Sequence, residues 1–121
     1  YFILHEFSLS YKENSYWASQ SANVVNALQP ADYFKYIDIV YNNQGDFQNS
    51  VTFDMTGNQV WSLFEGYAAQ VGIDSTQFYS QMNNSTLTWQ VTRNWKWGAS
   101  KGVWATPSYL LNGVLMSNCL W

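Results

Sequence analysis

Few residues of this chain have side chains that could carry out covalent or metal chemistry. The sequence contains one cysteine, Cys119, and one histidine, His5. Dithiol–disulfide exchange needs two neighbouring thiols, and a metal site needs several converging His, Cys or carboxylate ligands. No Ser/His/Asp arrangement, glycine-rich phosphate loop or pair of carboxylates stands at a recognisable spacing in the sequence. We therefore expect no catalytic residue, no metal and no cofactor in this chain.

Cys119 and His5 each have a simple structural interpretation beside the functional one. In a secreted protein, an odd cysteine suggests a bridge to another chain, a partner outside the sequence or a free thiol. Free cysteines are often buried as small apolar residues, and we favour that interpretation while keeping Cys119 as a candidate interchain thiol. His5 has only Glu6 and Glu13 as nearby carboxylates, so we expect a core or rim histidine rather than a ligand.

Two overlapping Asn-x-Ser/Thr sequences begin at Asn83 and Asn84. Such sequences accept N-linked glycans in secreted proteins. They fall in a predicted loop between two helices, where a glycan could be attached. The motif also arises by chance in a chain rich in Asn, Ser and Thr, so the sequence predicts candidate glycosylation sites and leaves their occupancy open.

The stretch around Pro107 predicts a loop followed by a β-hairpin. Pro107 has a fixed φ angle and no N–H donor, and it disfavours a helical conformation at Thr106. Gly102 can end the preceding helix in the left-handed region. Residues 108–111 have strand character, and Asn112-Gly113 is a strong signal for a two-residue hairpin turn. A helix is therefore expected to lead into a loop, and the loop into a two-stranded ribbon.

The sequence of residues 102–114, GVWATPSYLLNGV, resembles the proline-loop signature of thioredoxin-fold proteins of the DsbA-like class. Residues 94–102 look like the last inserted helix of that family, and residues 2–11 resemble its strand that enters the helical insertion. In the family the proline is cis and lies beside the redox site. The resemblance implies a peptide-binding loop whose backbone can pair with an extended peptide, although a proline kept for loop shape alone is the competing interpretation. The residues of this loop are Trp104, Ala105, Thr106 and Pro107.

The chain departs from the family in the residues that carry redox chemistry. The family needs Cys-x-x-Cys at the start of a helix, and this motif is absent from the sequence. If the front segment aligns as described, the redox segment lies upstream of Tyr1. In a second alignment, residues 11–14 stand at the redox position with both thiols replaced. In either case we expect that this chain alone does not catalyse dithiol exchange.

Apolar periodicity and capping residues predict one strand, five helices and two further strands, in that order. The first strand is expected at residues 1–7, and it is expected to be central. The helices are expected near residues 15–29, 31–43, 58–71, 75–82 and 85–100. Most aromatic residues lie at helical spacing and should be core. The core stripe expected on the second helix consists of Phe34, Ile37 and Tyr41, widened by Tyr33 and Val40.

Three tryptophans lie outside these stripes and are candidate anchors for a partner surface: Trp89, Trp97 and Trp104. The pattern alone predicts an α-rich chain with a small sheet. With the resemblance, the expected fold class is α/β, α-rich and thioredoxin-like, with an all-α insertion between strands of one small sheet. We expect one domain over 1–121, with its sheet part at 1–12 and 102–121 and its helical insertion at 13–101. The first alignment leaves the N-terminal strand and redox helix outside this chain.

The composition limits the classes of partner and the compartment. Charged residues make up 11% of the chain and aromatic residues 19%; about a quarter charged is typical. A surface of neutral amides and hydroxyls suits a glycan-shielded secreted protein or one that self-assembles. The net charge of −3 has the wrong sign for nucleic acid, and no apolar run approaches the ~18 residues of a membrane span. We expect a secreted or extracellular protein whose partner is a protein or peptide, including copies of itself.

Two functions from different classes remain open. The first is a redox-inactive DsbA-like thioredoxin-fold domain that acts in binding or self-assembly. The alternative is part of a thiol–disulfide oxidoreductase whose Cys-x-x-Cys lies upstream of Tyr1. A third, weaker interpretation is a glutathione-conjugating enzyme, for which the sequence marks no polar binding groups.

Overall fold

The computed structural model describes residues 1–116, and Cys119 lies outside them. An extended N-terminal segment leads into a helical body, which ends in a β-hairpin. The helices are α1 Ser15–Leu28, α2 Tyr33–Asn42, α3 Asn49–Thr52, α4 Gly57–Ala69, α5 Ser75–Met82 and α6 Ser85–Ser100, with 3-10 helices at Pro30–Asp32 and Gln44–Phe47. The strands β1 Leu110–Leu111 and β2 Val114–Leu115 pair antiparallel around Asn112 and Gly113, which both have positive φ. The predicted hairpin and the five predicted helices are confirmed, and α3 is an additional short helix.

The helix boundaries follow from local capping chemistry. Thr56 and Gln59 form a reciprocal capping box at the start of α4, and the Asp74 carboxylate accepts a hydrogen bond from the backbone N–H of Gln77 in α5. At the end of α6, Gly102 has φ +82°, its N–H donates to the carbonyl of Ala99, and the next N–H donates to the carbonyl of Gly98. This is a Schellman end, which reverses the chain toward the proline loop.

The core is built around α1, which contacts α2, α4, α5 and α6. Burial of large apolar side chains from these helices is the main source of stability. The largest fully buried side chains are Tyr36, Phe64, Phe78, Met82, Val24 and Val25.

Two buried amides connect α1 to distant parts of the chain. The Gln20 side chain donates to the carbonyl of Met82 at 2.6 Å, and so ties α1 to the α5–α6 connection. The Asn14 side chain donates to the carbonyl of Phe47 at 2.9 Å and to Oγ1 of Thr52 at 2.7 Å. Asn14 stands at the N-cap position but makes no capping hydrogen bond. Its amide is used for long-range packing instead.

The stripe predicted for α2 is wrong at two of its positions. Phe34 is 61% exposed and Tyr41 is 63% exposed, whereas Tyr36 is fully buried. The Tyr36 hydroxyl donates to Oγ of Ser21 at 2.7 Å, so the buried phenol is hydrogen-bonded within the core. The face that α2 turns inward contains Tyr33, Tyr36, Ile37 and Val40. This set of residues has helical spacing, as the predicted stripe does.

The strand predicted at residues 1–7 does not form in the described part of the chain. These residues have no strand assignment, and the described sheet consists of β1 and β2 alone. Tyr1, Phe2 and Ile3 are exposed, so the apolar character that suggested a central strand is not matched by burial. The helices therefore follow an extended segment, and the layout of an insertion between two strands of one sheet is not seen in residues 1–116.

Among the described helices, none has both the length and the apolar character needed to cross a membrane.

Candidate functional site

The N-terminal segment is fastened to α6 by aromatic packing. The ring of Phe7 lies against Gly98, and it also stacks near Trp95 with ring centroids 6.3 Å apart. The ring of His5 stacks on Trp97 with centroids 4.2 Å apart and an interplanar angle of 15°. His5 is exposed and forms part of the rim of this contact. Within residues 1–116, no group of three or more His, Cys, Asp and Glu side chains is placed to hold a metal.

Glu6 fastens the same segment to α1 and α2. Its carboxylate accepts a hydrogen bond from the Tyr33 hydroxyl at 2.7 Å and another from the Asn23 amide at 2.5 Å. Burial raises the pKa of Glu6 from 4.5 to about 7, and the two hydrogen bonds oppose this shift without cancelling it. Burial, followed by the charge of Glu6, raises the pKa of Tyr33. The carboxyl group of Glu6 thus connects the N-terminal segment to α1 and α2 through two hydrogen bonds.

A groove runs between the N-terminal segment and α6. It consists of two adjoining cavities of about 310 and 240 Å³ that share Ser8, Leu9, Ser10 and Trp95. One cavity extends to Tyr16, and the other extends along α6 to Trp104. Aromatic rings and aliphatic atoms line much of it, while serine hydroxyls and backbone supply polar groups. Such a surface can hold an extended apolar segment and fix it through a few hydrogen bonds.

The proline loop begins at the Trp104 end of the groove. Trp104 is 82% exposed, and Thr106 and Pro107 are exposed as well. The Thr106–Pro107 peptide bond is cis. The Ser108 hydroxyl donates to the carbonyl of Ala105 at 2.5 Å and closes the loop. The backbone N–H of Met116 donates to the carbonyl of Tyr109, which extends the hairpin pairing that carries the loop.

Only one residue of the predicted loop site lines the groove itself. Trp104 does so, whereas Ala105, Thr106 and Pro107 do not line either cavity. Sequence reasoning did not select Phe7, Leu9 or Trp95, which form the opposite walls. Phe7 falls at the end of the expected first strand, Leu9 lies between that strand and the first expected helix, and Trp95 is among the aromatic residues expected in the core. The sequence feature that could have indicated this contact is Gly98, because a residue without a side chain allows the N-terminal segment to approach α6 closely.

The three tryptophans predicted as surface anchors are exposed but not clustered at one site. Trp104 lines the groove, Trp97 stacks under His5, and Trp89 lies farther along α6 with the ammonium of Lys96 5.7 Å from its ring centroid. An exposed ring beside a cation is a common recognition element.

The two candidate glycosylation residues differ in their surroundings. Asn83 is exposed at the end of α5, and its amide donates to the carbonyl of Tyr79. Asn84 is partly buried and is the N-cap of α6. Its Oδ1 accepts from the backbone N–H of Thr86, and its amide donates to Gln81.

Comparison with known proteins adds a family-level match. A family model described as thioredoxin matches residues 1–119, which is nearly the whole chain. No curated protein and no solved structure matches the chain.

Proposed function

Since this chain belongs to the thioredoxin family, we propose that it is a redox-inactive domain of the DsbA-like type that acts by binding, either to an extended apolar protein segment or to copies of itself. The observation that carries the proposal is the groove between Phe7 and Trp104, open to solvent and lined by exposed aromatic rings. The single cysteine of the sequence excludes a Cys-x-x-Cys motif within it.

The binding mode follows from the shape of the site. A peptide lying along the groove would place apolar side chains against Leu9 and Trp95 and reach Trp104 at the far end. The backbone at the exposed residues Thr106 and Pro107 would then be close enough to pair with it as an added strand. Trp104 is the expected energetic anchor, because large aromatic residues dominate the binding energy of such interfaces.

The test uses a fluorescently labelled peptide with alternating apolar and polar residues, titrated with the 121-residue chain and followed by anisotropy. Trp104→Ala should weaken binding roughly tenfold or more. Trp89→Ala is the matched control, because it removes an exposed tryptophan of α6 that does not line the groove, and affinity should not change. Equal affinity of the Trp104→Ala variant and the unchanged chain would contradict the proposal. Pro107→Ala separately tests whether the loop contributes, since unchanged affinity would restrict the site to the groove.

A second candidate function is thiol–disulfide exchange by a longer protein whose Cys-x-x-Cys lies upstream of Tyr1. The family match favours it, and the groove would then hold the substrate peptide beside the thiols. Transcript sequencing would identify the motif, and insulin reduction by the longer protein would establish the activity. If no such motif is encoded, this candidate is eliminated and the binding function stands alone.

We also propose that the protein is secreted and carries a glycan at Asn83. The low charged fraction and the overlapping acceptor sequences support this proposal. Asn83 is preferred to Asn84 because it is the more exposed of the two, whereas the side chain of Asn84 caps the start of α6.

A further inference from the structure

The charges of this chain are distributed unevenly along its sequence. Residues 1–74 contain all eight acidic residues and two basic ones, a formal net charge of −6. Residues 75–121 contain Arg93, Lys96 and Lys101 and no acidic residue, a formal net charge of +3. The small net charge of the whole chain therefore hides two regions of opposite sign.

The cationic region includes an outward face of α6. Trp89, Arg93 and Lys96 have the spacing i, i+4 and i+7, so they lie along one side of the helix. All three are exposed, whereas Leu87 and Val91 on the opposite side are buried. Trp89 is 61% exposed, and Lys96 lies close to its ring. We call these three residues the α6 face. Tryptophan and arginine are the residue types most enriched among interface anchors.

The acidic region includes a protruding apolar loop. Residues 51–55 comprise the last two residues of the short helix α3 and the three residues after it, and we call them the Phe53 loop. Phe53 is 84% exposed, and Val51 and Met55 are exposed beside it. Asp54, which is also exposed, adds a carboxylate directly after the phenylalanine. The loop therefore presents a ring, two aliphatic groups and one negative charge.

A second acidic, apolar surface exists on α2 but is less suited to a cationic partner. It exposes Phe34 and Tyr41 on either side of Asp38. Lys35 is also exposed, and it lies three residues before Asp38, where the two side chains can interact. For Asp54, by contrast, the nearest basic residues in the sequence are Lys35 and Arg93, so no lysine or arginine of its own segment can neutralise it. The Phe53 loop is thus the better complement to the α6 face.

We propose that the α6 face of one copy of this chain binds the Phe53 loop of a second copy. The ring of Phe53 would pack on Trp89, and the Asp54 carboxylate would pair with Arg93 and Lys96. This inference rests on the self-assembly part of the proposed function and names the surfaces involved. The two surfaces are different, so the contact either closes as a reciprocal two-fold dimer, in which each copy gives both surfaces to the other, or propagates head to tail into a ring or a filament.

The test combines two variants that each lose one of the surfaces. The first is Trp89→Ala with Arg93→Ala, and the second is Phe53→Ser with Asp54→Asn. All four residues are exposed, so both variants should retain the circular dichroism spectrum of the unchanged chain. In sedimentation velocity, the unchanged chain should associate as its concentration rises, more weakly in high salt. Each variant alone should be monomeric.

The equimolar mixture of the two variants is the decisive sample. One molecule of each variant together provide one intact α6 face and one intact Phe53 loop. The mixture should therefore form a 1:1 complex and nothing larger. A monomeric unchanged chain, variants that still associate, or a monomeric mixture would each overturn the proposal. If the chain stays monomeric but binds vesicles containing anionic lipid through the α6 face, the occupant is a membrane and the proposal is likewise overturned. The peptide titration of the groove, run on the same variants, should be unchanged, which separates failure of this contact from failure of groove binding.

Discussion

The ring of Phe7 covers the α-carbon of Gly98 so closely that a β-carbon at Gly98 would stand 2.7 Å from Cδ2 of Phe7. This contact seats the extended N-terminal segment on α6 and forms one wall of the groove. The groove therefore depends on the absence of a side chain at one helical position.

Replacing Gly98 by alanine should destabilise the protein, although alanine favours helix formation. Overpacking against Phe7 should cost about 1–3 kcal/mol, which outweighs the propensity gain of at most about 1 kcal/mol. Gly66→Ala is the matched control, because Gly66 lies inside α4 with nothing within 4 Å of an added β-carbon, and it should stabilise the fold. Urea denaturation measures both changes, and a Gly98→Ala variant as stable as the Gly66→Ala variant would contradict the close contact.

Replacing Glu6 by glutamine should remove a pH dependence of stability. In the folded chain the pKa of Glu6 is about 7, against 4.5 for an ordinary glutamate. Between these values the folded state keeps a proton that the unfolded state has lost, so the free energy of unfolding falls as pH rises. At about 1.4 kcal/mol per pKa unit, the loss is at most about 3.5 kcal/mol and is complete above pH 7.

Denaturation midpoints of the unchanged chain and the Glu6→Gln variant, taken across about pH 4 to 8, would measure this effect. The Glu6→Gln variant should show a flatter profile and exceed the unchanged chain in stability above pH 7. Glu13→Gln serves as the control, because its exposed side chain should leave the profile unaltered. A Glu6→Gln profile that coincides with that of the unchanged chain would exclude Glu6 as the source.

Replacing Asn14 by aspartate should be costly, although Asn and Asp are equally good N-caps. The Asn14 amide donates to Phe47 and Thr52 in a buried position, and a carboxylate cannot donate to either. Leaving these acceptors unpaired beside a buried charge should cost about 2–4 kcal/mol. Asp74→Asn exchanges the same residue types at the cap of α5, and thermal unfolding should detect almost no change there. A loss for Asn14→Asp as small as that for Asp74→Asn would contradict the importance of the two hydrogen bonds that the Asn14 amide donates.

Expression in a secreting eukaryotic host should add one glycan. The mass of that glycan should be absent from the Asn83→Gln variant. Asn84→Gln also removes the cap of α6 and should lower stability by about 1 kcal/mol while leaving the glycan in place. Mass spectrometry before and after glycosidase treatment measures the glycan. If the glycan were lost in the Asn84→Gln variant and kept in the Asn83→Gln variant, it would be assigned to Asn84.

The helical part of this fold could be predicted because local signals agree there. Gly102 is predicted as a helix end because of its conformational freedom, and Asp74 and Asn84, which cap α5 and α6, lie directly before the expected starts of those helices. The hairpin was predictable because Asn112-Gly113 suits a turn with two positive φ angles. In each case, the chemistry that determines the structure lies within a few residues of sequence.

The groove and the N-terminal segment could not be predicted in the same way. Residues 1–7 have strand composition, but a strand also needs a neighbour, and composition does not reveal whether one is present. On α2, two overlapping sets of residues have helical spacing, and which set is buried depends on how α2 packs against α1 and α4. The groove arises where two segments some ninety residues apart come together, which no local pattern encodes.

The separation of charge between the first 74 residues and the rest also affects how the molecule behaves in an external field. Arg93 and Lys96 are exposed on α6, which carries no carboxylate, so a negatively charged surface orients the molecule with α6 toward it rather than merely repelling it. The chain should therefore adsorb to a cation-exchange resin through α6 at neutral pH, even though its overall charge has the sign that such a resin repels.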